Sequence, residues 1–297
     1  MLAVANNPSL QDLLAKSRLP ALPQTAVSLL RLSQNPDAGP LQYAKIIESD
    51  PGLVGQVLRF VNSSFFGFSR QIASVQQALT LVGVRQITNF ALWSAVFTLV
   101  PNPQFGAFDL KSLWLDSLRR AAMARSLGKK LKLPNAEDLF AGALLQDMAI
   151  PLLIEQMPDK YRPLIERRDS EQRRLSELER EALGWDHAEA AAGLVRQWKL
   201  PESFAQLVEF HTNLPGLLDS GDSHRGAACV ALASMLPSCR DDQWDESEVF
   251  SDGFKTLNSA LKVDFNELVA ETDQQTKDFA PMLKLPLPRR TLAEWIA

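Results

Sequence analysis

Three side chains able to bind a metal or carry a proton fall on apolar faces of this sequence: Asp147, His187 and His211. The run from Leu139 to Ile154 is the most hydrophobic helical stretch that still contains a charge, and Phe140, Ala143, Leu144, Ile150 and Ile154 recur in it at helical spacing. Asp147 falls on that stripe, so a carboxylate faces a core. Burying it ionised costs several kcal/mol, roughly the effective penalty for one buried ion, unless cations or hydrogen-bond donors answer it. Four residues on, Pro151 lacks an N–H and its ring would crowd the Asp147 carbonyl, which predicts a kink or stop between the two. Asp186-His187-Ala188-Glu189 has the spacing of a capping box and places His187 in the first turn of a helix whose inner face carries Ala191, Leu194 and Trp198. Pro201 opens the next helix, in which Phe204, Leu207, Val208 and His211 share a side. Singly, each polar group reads as an ordinary hydrogen-bonded core residue. Together, on separate helices, they shift the reading from three unrelated core residues toward a shared ligand site.

The totals bound what such a set could serve. The chain has 297 residues, 46% of them hydrophobic and 22% charged, ordinary for a soluble globular protein with ample length for a core. A formal net charge of −4 argues against a dedicated nucleic-acid or anionic-membrane binder, which needs a basic face. The pairs Arg119-Arg120, Lys129-Lys130, Arg167-Arg168 and Arg173-Arg174 read as solvated helix faces, with a local phosphate pocket as the alternative. Cys229 and Cys239 are the only cysteines, which indicates neither a disulfide framework nor a thiolate zinc site. Asn6, Asn7 and Pro8 interrupt the weakly apolar start, unlike a signal peptide, and the longest apolar run, Phe90 to Val100, is too short to span a bilayer. The expectation is a cytoplasmic protein.

Helical periodicity alternates with Pro, Gly and Asn breaks from Ser9 onward, and strand alternation is hard to find. Ala26 to Leu32, ended by Asn35-Pro36, and Leu41 to Glu48 read as helices. Asp50-Pro51 caps a third through Val61, Ser74 begins another through Val82, and Gly83 punctuates the move into a long helix ending near Val100. Pro101 to Gly106 is the best linker. After it come a small-residue helix from Leu113 to Leu131, with Asp116 in its first turns read as a solvated acid near a positive helix end, then the Asp147 stretch. A charged helical region from Tyr161 to Leu183 precedes the two histidine helices and a helix from Arg225 to Leu236. Beyond Cys239 the pattern weakens, Phe250, Phe254, Leu257 and Leu261 suggesting one appended helix and Pro281 to Pro288 an extended tail. The predicted class is all-α: an N-terminal helical lobe over residues 1–106, a second helical lobe over 107–238, and a helical and extended tail over 239–297.

Several runs, in this order, carry a family resemblance. They are Leu19-Pro-Ala-Leu-Pro23, Ile47-Glu-Ser-Asp-Pro-Gly-Leu53, Asn62-Ser-Ser-Phe-Phe-Gly67 and Gln77-Ala-Leu-Thr-Leu-Val-Gly83, followed by Leu113-Trp114 with Ser117, Leu144-Leu-Gln-Asp147, His187-Ala-Glu189, Trp198-Lys-Leu-Pro201 and His211. Over about residues 17–215 the chain resembles the HDOD family, a bacterial signal-transduction branch of the HD-domain metal-dependent phosphohydrolases related to the HD-GYP cyclic-dinucleotide phosphodiesterases. The resemblance implies an HD-like second lobe holding the remnant of a two-metal site. Residue by residue, it implies histidines where Asp116, Gln146 and Thr212 stand and an acid near Ser234, so only Asp147, His187 and His211 match. No Gly-Tyr-Pro follows His211.

In a two-metal hydrolase one ion activates water while both hold phosphoryl oxygens, and each needs enough anionic or imidazole ligands to stay bound. A neutral amide at Gln146 and a hydroxyl at Ser234 are poor substitutes, so one ion is expected to be lost. The other, one divalent transition metal, could be held by Asp147, His187 and His211, assisted by Asp116; without it the three would close on themselves as a buried network. The leading reading is a catalytically silent signalling module with no obligatory cofactor, acting on other signalling proteins or on a small ligand. The alternatives are a one-metal phosphohydrolase acting on a nucleotide and nucleotide binding without hydrolysis.

Overall fold

Helix starts in this chain are set by side-chain caps, and the structure, a computed structural model, forms them where the sequence places the capping residues. It describes residues 9–16, 21–33, 35, 37–106, 108–259 and 262–296; the expectations for residues 1–8, Leu19, Pro20, Pro36 and Leu261 lie outside the described residues. Asp50 accepts from the Leu53 N–H and opens Pro51–Val61, Ser74 accepts from Gln77 and opens Val75–Val82, and Gly83 turns the chain at φ +103° into Val84–Leu99. With Gln24–Ser33 and Pro40–Glu48 these helices form the first half. Among the described residues every element is an α- or 3₁₀-helix and none is a strand. None of the described helices is long and apolar enough to cross a membrane.

The second half is laid around Leu110–Lys130, which starts at an Asp109 cap three residues earlier than the apolar pattern suggests. Its small residues let neighbours come close. A side-chain carbon at Gly128 would lie only 2.6 Å from the Leu139 side chain, so that position fixes how tightly Ala136–Leu145 packs across it. Arg225–Ala233 and Phe265–Phe279 lie against the same long helix. Next come Ala149–Gln156, Pro158–Glu171, Leu175–Leu183, His187–Gln197 and Glu202–Glu209, which supply the walls of the site.

Phe265–Phe279, unforeseen in the sequence, ties the two halves together. Its last residue, Phe279, packs its ring against Phe60 and Phe65 of the first half and Phe140 of the second. Gln275 donates to Ser126 at 2.7 Å, and Asp278 accepts from the Ser64 hydroxyl at 2.6 Å. Asp273 caps the final helix Leu292–Ile296 through the Leu292 and Ala293 N–H groups. The buried apolar side chains, from Leu22 to Leu292, form one continuous core.

Candidate metal and ligand site

The break predicted by Pro151 is what delivers Asp147. The helix Ala136–Leu145 ends, Gln146 to Met148 form a turn, and Pro151 sits in the first turn of Ala149–Gln156, where its missing N–H costs nothing. Asp147 is thereby held at the joint with both oxygens buried among side chains from three other segments. Asp186 caps His187–Gln197 through the Glu189 N–H at 3.0 Å, which puts His187 in the first turn as the capping spacing requires. His211 lies just past the end of Glu202–Glu209, in a 3₁₀ turn, Phe210–Thr212.

The three converge. His187 Nε2 and His211 Nε2 are 3.2 Å apart, and they lie 3.4 and 3.5 Å from Asp147 Oδ1. The remaining ring nitrogens fix the orientation of each imidazole. His211 Nδ1 sits 2.6 Å from the Val208 carbonyl, which can only accept, so Nδ1 carries the hydrogen. His187 Nδ1 sits 2.6 Å from Glu179 Oε2, and that carboxylate also accepts from the His187 backbone N–H at 2.9 Å and from the Tyr161 hydroxyl at 2.7 Å. Both Nε2 atoms therefore face Asp147 Oδ1. An ion bonded at about 2.0–2.1 Å to three atoms in tetrahedral array sets ligand separations of roughly 3.3–3.5 Å, and this triangle fits that spacing. Two imidazoles and a carboxylate suit zinc or iron.

Asp147's other oxygen is answered by Arg120, whose Nη1 donates to Oδ2 at 2.6 Å, with Gln146 Nε2 at 3.2 Å. Burial alone would raise the Asp147 carboxyl, but the Arg120 charge and the hydrogen bond from His187 outweigh it and hold the group well below the usual carboxylate range. Burial would likewise lower His187, yet Glu179 and Asp147 push it up to about 10. Burial prevails at His211, which is lowered and stays neutral. The result is an interior ion cluster in which a guanidinium and an imidazolium face two carboxylates.

Several side chains around the site are placed differently from what the sequence suggests. Arg119 and Arg120 are not a solvated face: Arg119 is buried, donating to the Arg290 carbonyl at 2.9 Å, and Arg120 keeps only 16% of its side chain accessible. Asp116 is not a solvated acid. It is buried, accepts from the Ser238 hydroxyl at 2.5 Å and the Cys239 N–H at 2.7 Å, and its oxygens do not join the three converging ligand atoms. Burial raises its pKa against the lowering effect of Arg120. Ser234 lies behind His211, its hydroxyl 2.8 Å from the His211 carbonyl and accepting from Arg174 at 2.8 Å. Thr212 donates to Asp186 Oδ2 at 3.0 Å. Gln146 is fully buried, and its Oε1 has no hydrogen-bond partner among the described residues. Arg167 and Arg173 lie at the surface as the solvated-face reading expects, pairing with Glu171 and Glu181, whereas Arg174 keeps only 18% of its side chain accessible and pairs with Glu246.

Sequence reasoning missed Arg120, Glu179 and Tyr161. Glu179 carried the same signal as Asp147, a charge on an apolar stripe, since Ser176, Leu178 and Leu183 bury beside it at helical spacing.

The chain matches the family model of the HDOD domain over residues 19–214. It belongs to the HDOD domain family. This HDOD chain is 25% identical over 198 residues to an uncharacterized protein of Treponema pallidum (strain Nichols), the matched part being 66% of this chain and 38% of that protein. The chain thus spans well under half the length of that relative. Among solved structures it is similar to an HDOD domain protein of unknown function from Geobacter sulfurreducens, with TM-score 0.70, 18% identity and coverage of 94% of this chain and 97% of that one. It is also similar to a protein provisionally named a phosphohydrolase from Shewanella amazonensis SB2B, with TM-score 0.71, 21% identity and coverage of 94% and 99%. A protein provisionally named a signal transduction protein from Marinobacter aquaeolei VT8 gives TM-score 0.66 at 20% identity, covering 93% of this chain and 60% of that one. At such identities the likeness is one of fold.

In this HDOD chain the site opens into a cleft of about 620 Å³. Arg120, Gln146, Asp147 and the two histidines form its floor, and the segment from Arg240 to Glu246 runs along its wall.

Proposed function

We propose that this HDOD chain is a catalytically silent signalling module that binds a partner protein or small ligand through the cleft. The observation that carries this reading is the Arg120–Asp147 contact. A second ion would have to share Asp147 through Oδ2, and a guanidinium already holds that oxygen at 2.6 Å. The groups that could otherwise have drawn an ion there are a neutral amide at Gln146, a hydroxyl at Ser234 and a carboxylate at Asp116 tied to Ser238 and Cys239. With one positive charge fixed by the chain, two-ion phosphoryl transfer has no place to assemble. The test is hydrolysis of cyclic dinucleotides and simple phosphodiesters with manganese, zinc, iron and magnesium. The reading expects no product beyond blank, and several metal-dependent turnovers per chain would overturn it.

One observation favours a second reading, a one-ion phosphohydrolase: the edges of the Asp147–His187–His211 triangle match a single tetrahedral ion. There the triangle would hold a Lewis-acidic ion able to activate water, while Arg120 would offer its remaining N–H groups to a phosphoryl oxygen. Elemental analysis of protein purified without chelators separates the two, because a hydrolase of this kind carries about one transition metal per chain. Metal-free native protein removes it.

A further inference from the structure

Arg119 is 1% exposed, and among the described residues no carboxylate is hydrogen-bonded to it. Its guanidinium donates instead to two backbone carbonyls, Pro237 at 3.4 Å and Arg290 at 2.9 Å. Burial lowers its pKa, and the carboxylates of Asp116 and Asp273 supply the opposing charge. Both have second duties. Asp273 caps the last helix through the Leu292 and Ala293 N–H groups at 2.8 and 3.0 Å. Asp116 stands three residues before Arg119 and four before Arg120, so both arginines are its neighbours across one helical turn. It also pins the start of the cleft wall through Ser238 and Cys239. Arg120 in turn holds Asp147 Oδ2 at 2.6 Å. Asp147, Arg120, Asp116, Arg119 and Asp273 thus form a row of alternating charge from the floor of the cleft to the last helix. A hydrogen bond runs beside this row, Arg290 Nη1 donating to the Asp242 carbonyl on the cleft wall at 3.3 Å, with the same guanidinium over the Trp295 ring.

The segment at the far end of the row is lightly held. Among residues 284–296 only Leu285 and Leu292 are buried, the helix Leu292–Ile296 has five residues, and Leu287 and Ile296 are exposed. Segments with so few buried apolar contacts open locally at a small fraction of the global unfolding free energy, which gives this tail two states, docked and open. The row biases that choice. A positive charge added beside Asp147 weakens its hold on Arg120, which then leans on Asp116, and less of the Asp116 field is left for Arg119. A buried guanidinium short of counter-charge regains water only when the segments it holds part, and one of those is the tail at Arg290.

We propose that residues 284–296 are the output arm of the module, docked while Asp147 answers only to Arg120 and the two histidines and released when a cation binds beside Asp147, with Asp116 and Arg119 carrying the coupling. This rests on the silent-module reading and supplies the step by which an event in the cleft reaches a partner. The test uses the full chain and two perturbations of the floor, zinc ions alone and Asp147→Asn, which removes the negative charge without an ion. Amide hydrogen exchange of residues 284–296 is read by mass spectrometry against the helix Pro51–Val61, and the Trp295 line by fluorine NMR of protein labelled with 5-fluorotryptophan, assigned through its loss in Trp295→Phe. Each perturbation is expected to speed exchange of the tail roughly fivefold relative to that helix, the low end of measured couplings between sites, and to move the Trp295 line. Arg119→Met keeps most of the packing and removes the charge; its tail exchanges fast and no longer responds to either perturbation. Zinc that binds by calorimetry without moving the tail overturns the proposal, as does an unmoved tail in folded Asp147→Asn or an undiminished response in Arg119→Met. Phosphodiester turnover is measured separately, so a hydrolase with an unresponsive tail and a silent module with a responsive one give different results.

Discussion

Replacing Arg120 by methionine keeps the length and most of the packing of the side chain and removes its charge. Asp147, buried and hydrogen-bonded through Oδ2 to Arg120 at 2.6 Å, then keeps its charge with one cation fewer. Breaking a buried ion pair by deleting one partner costs about 3–5 kcal/mol, whereas losing a solvated pair costs about 0–1 kcal/mol. Arg120 retains 16% of its side-chain surface, which places the expected loss at the lower end, about 3 kcal/mol. Adding Asp147→Asn removes the stranded charge and should return most of that loss, leaving a coupling energy of about 2 kcal/mol in the double-mutant cycle. Urea unfolding at neutral pH, followed by far-UV circular dichroism with the m-value held common, reads each corner. A loss below about 1 kcal/mol for Arg120→Met, or additive single and double variants, would show that the guanidinium does not answer the buried carboxylate.

His187 is raised to about 10 from an ordinary value of 6.5, so its contribution to stability is complete below pH 6.5 and is lost as pH climbs through 10. Between pH 7 and 9.5 the native chain should therefore lose about 3 kcal/mol more than His187→Gln, read from urea midpoints; equal losses contradict the assignment. Glu179→Gln leaves three buried donors facing a neutral amide, costs about 2–4 kcal/mol and lowers the His187 midpoint in a nitrogen-15 NMR titration, an unmoved midpoint being the contrary result. Phe279→Ala removes a ring shared by Phe60, Phe65 and Phe140 and should cost about 3–4 kcal/mol by calorimetry, a loss under 1 kcal/mol denying that this ring joins the halves.

What the sequence made legible follows from which signals are local. A charge within an apolar helical stripe is visible in a dozen residues, and Asp147, His187 and His211 all stood out on that ground before any geometry was known. Pro151 and the Asp186 cap did so through backbone chemistry. Arg120 was hidden because two adjacent arginines on a helix ordinarily face water, and only the fold reveals that one of them points at a carboxylate twenty-seven positions away. Asp116 was misread for the same reason, its partners Ser238 and Cys239 arriving from more than 120 residues downstream. The helix Phe265–Phe279 escaped because Thr272, Gln275 and Thr276 occupy its buried face, satisfying their polar groups against helix carbonyls and Ser126, so the apolar stripe that marks a packed helix is interrupted.

The chain itself supplies the positive charge at Asp147 Oδ2, through Arg120 Nη1. Crystals grown with manganese, examined by anomalous scattering, test it directly. At most one peak is expected, among Asp147 Oδ1, His187 Nε2 and His211 Nε2, with Arg120 still on Oδ2. Two peaks about 3.5–4 Å apart, with Arg120 displaced, would contradict it.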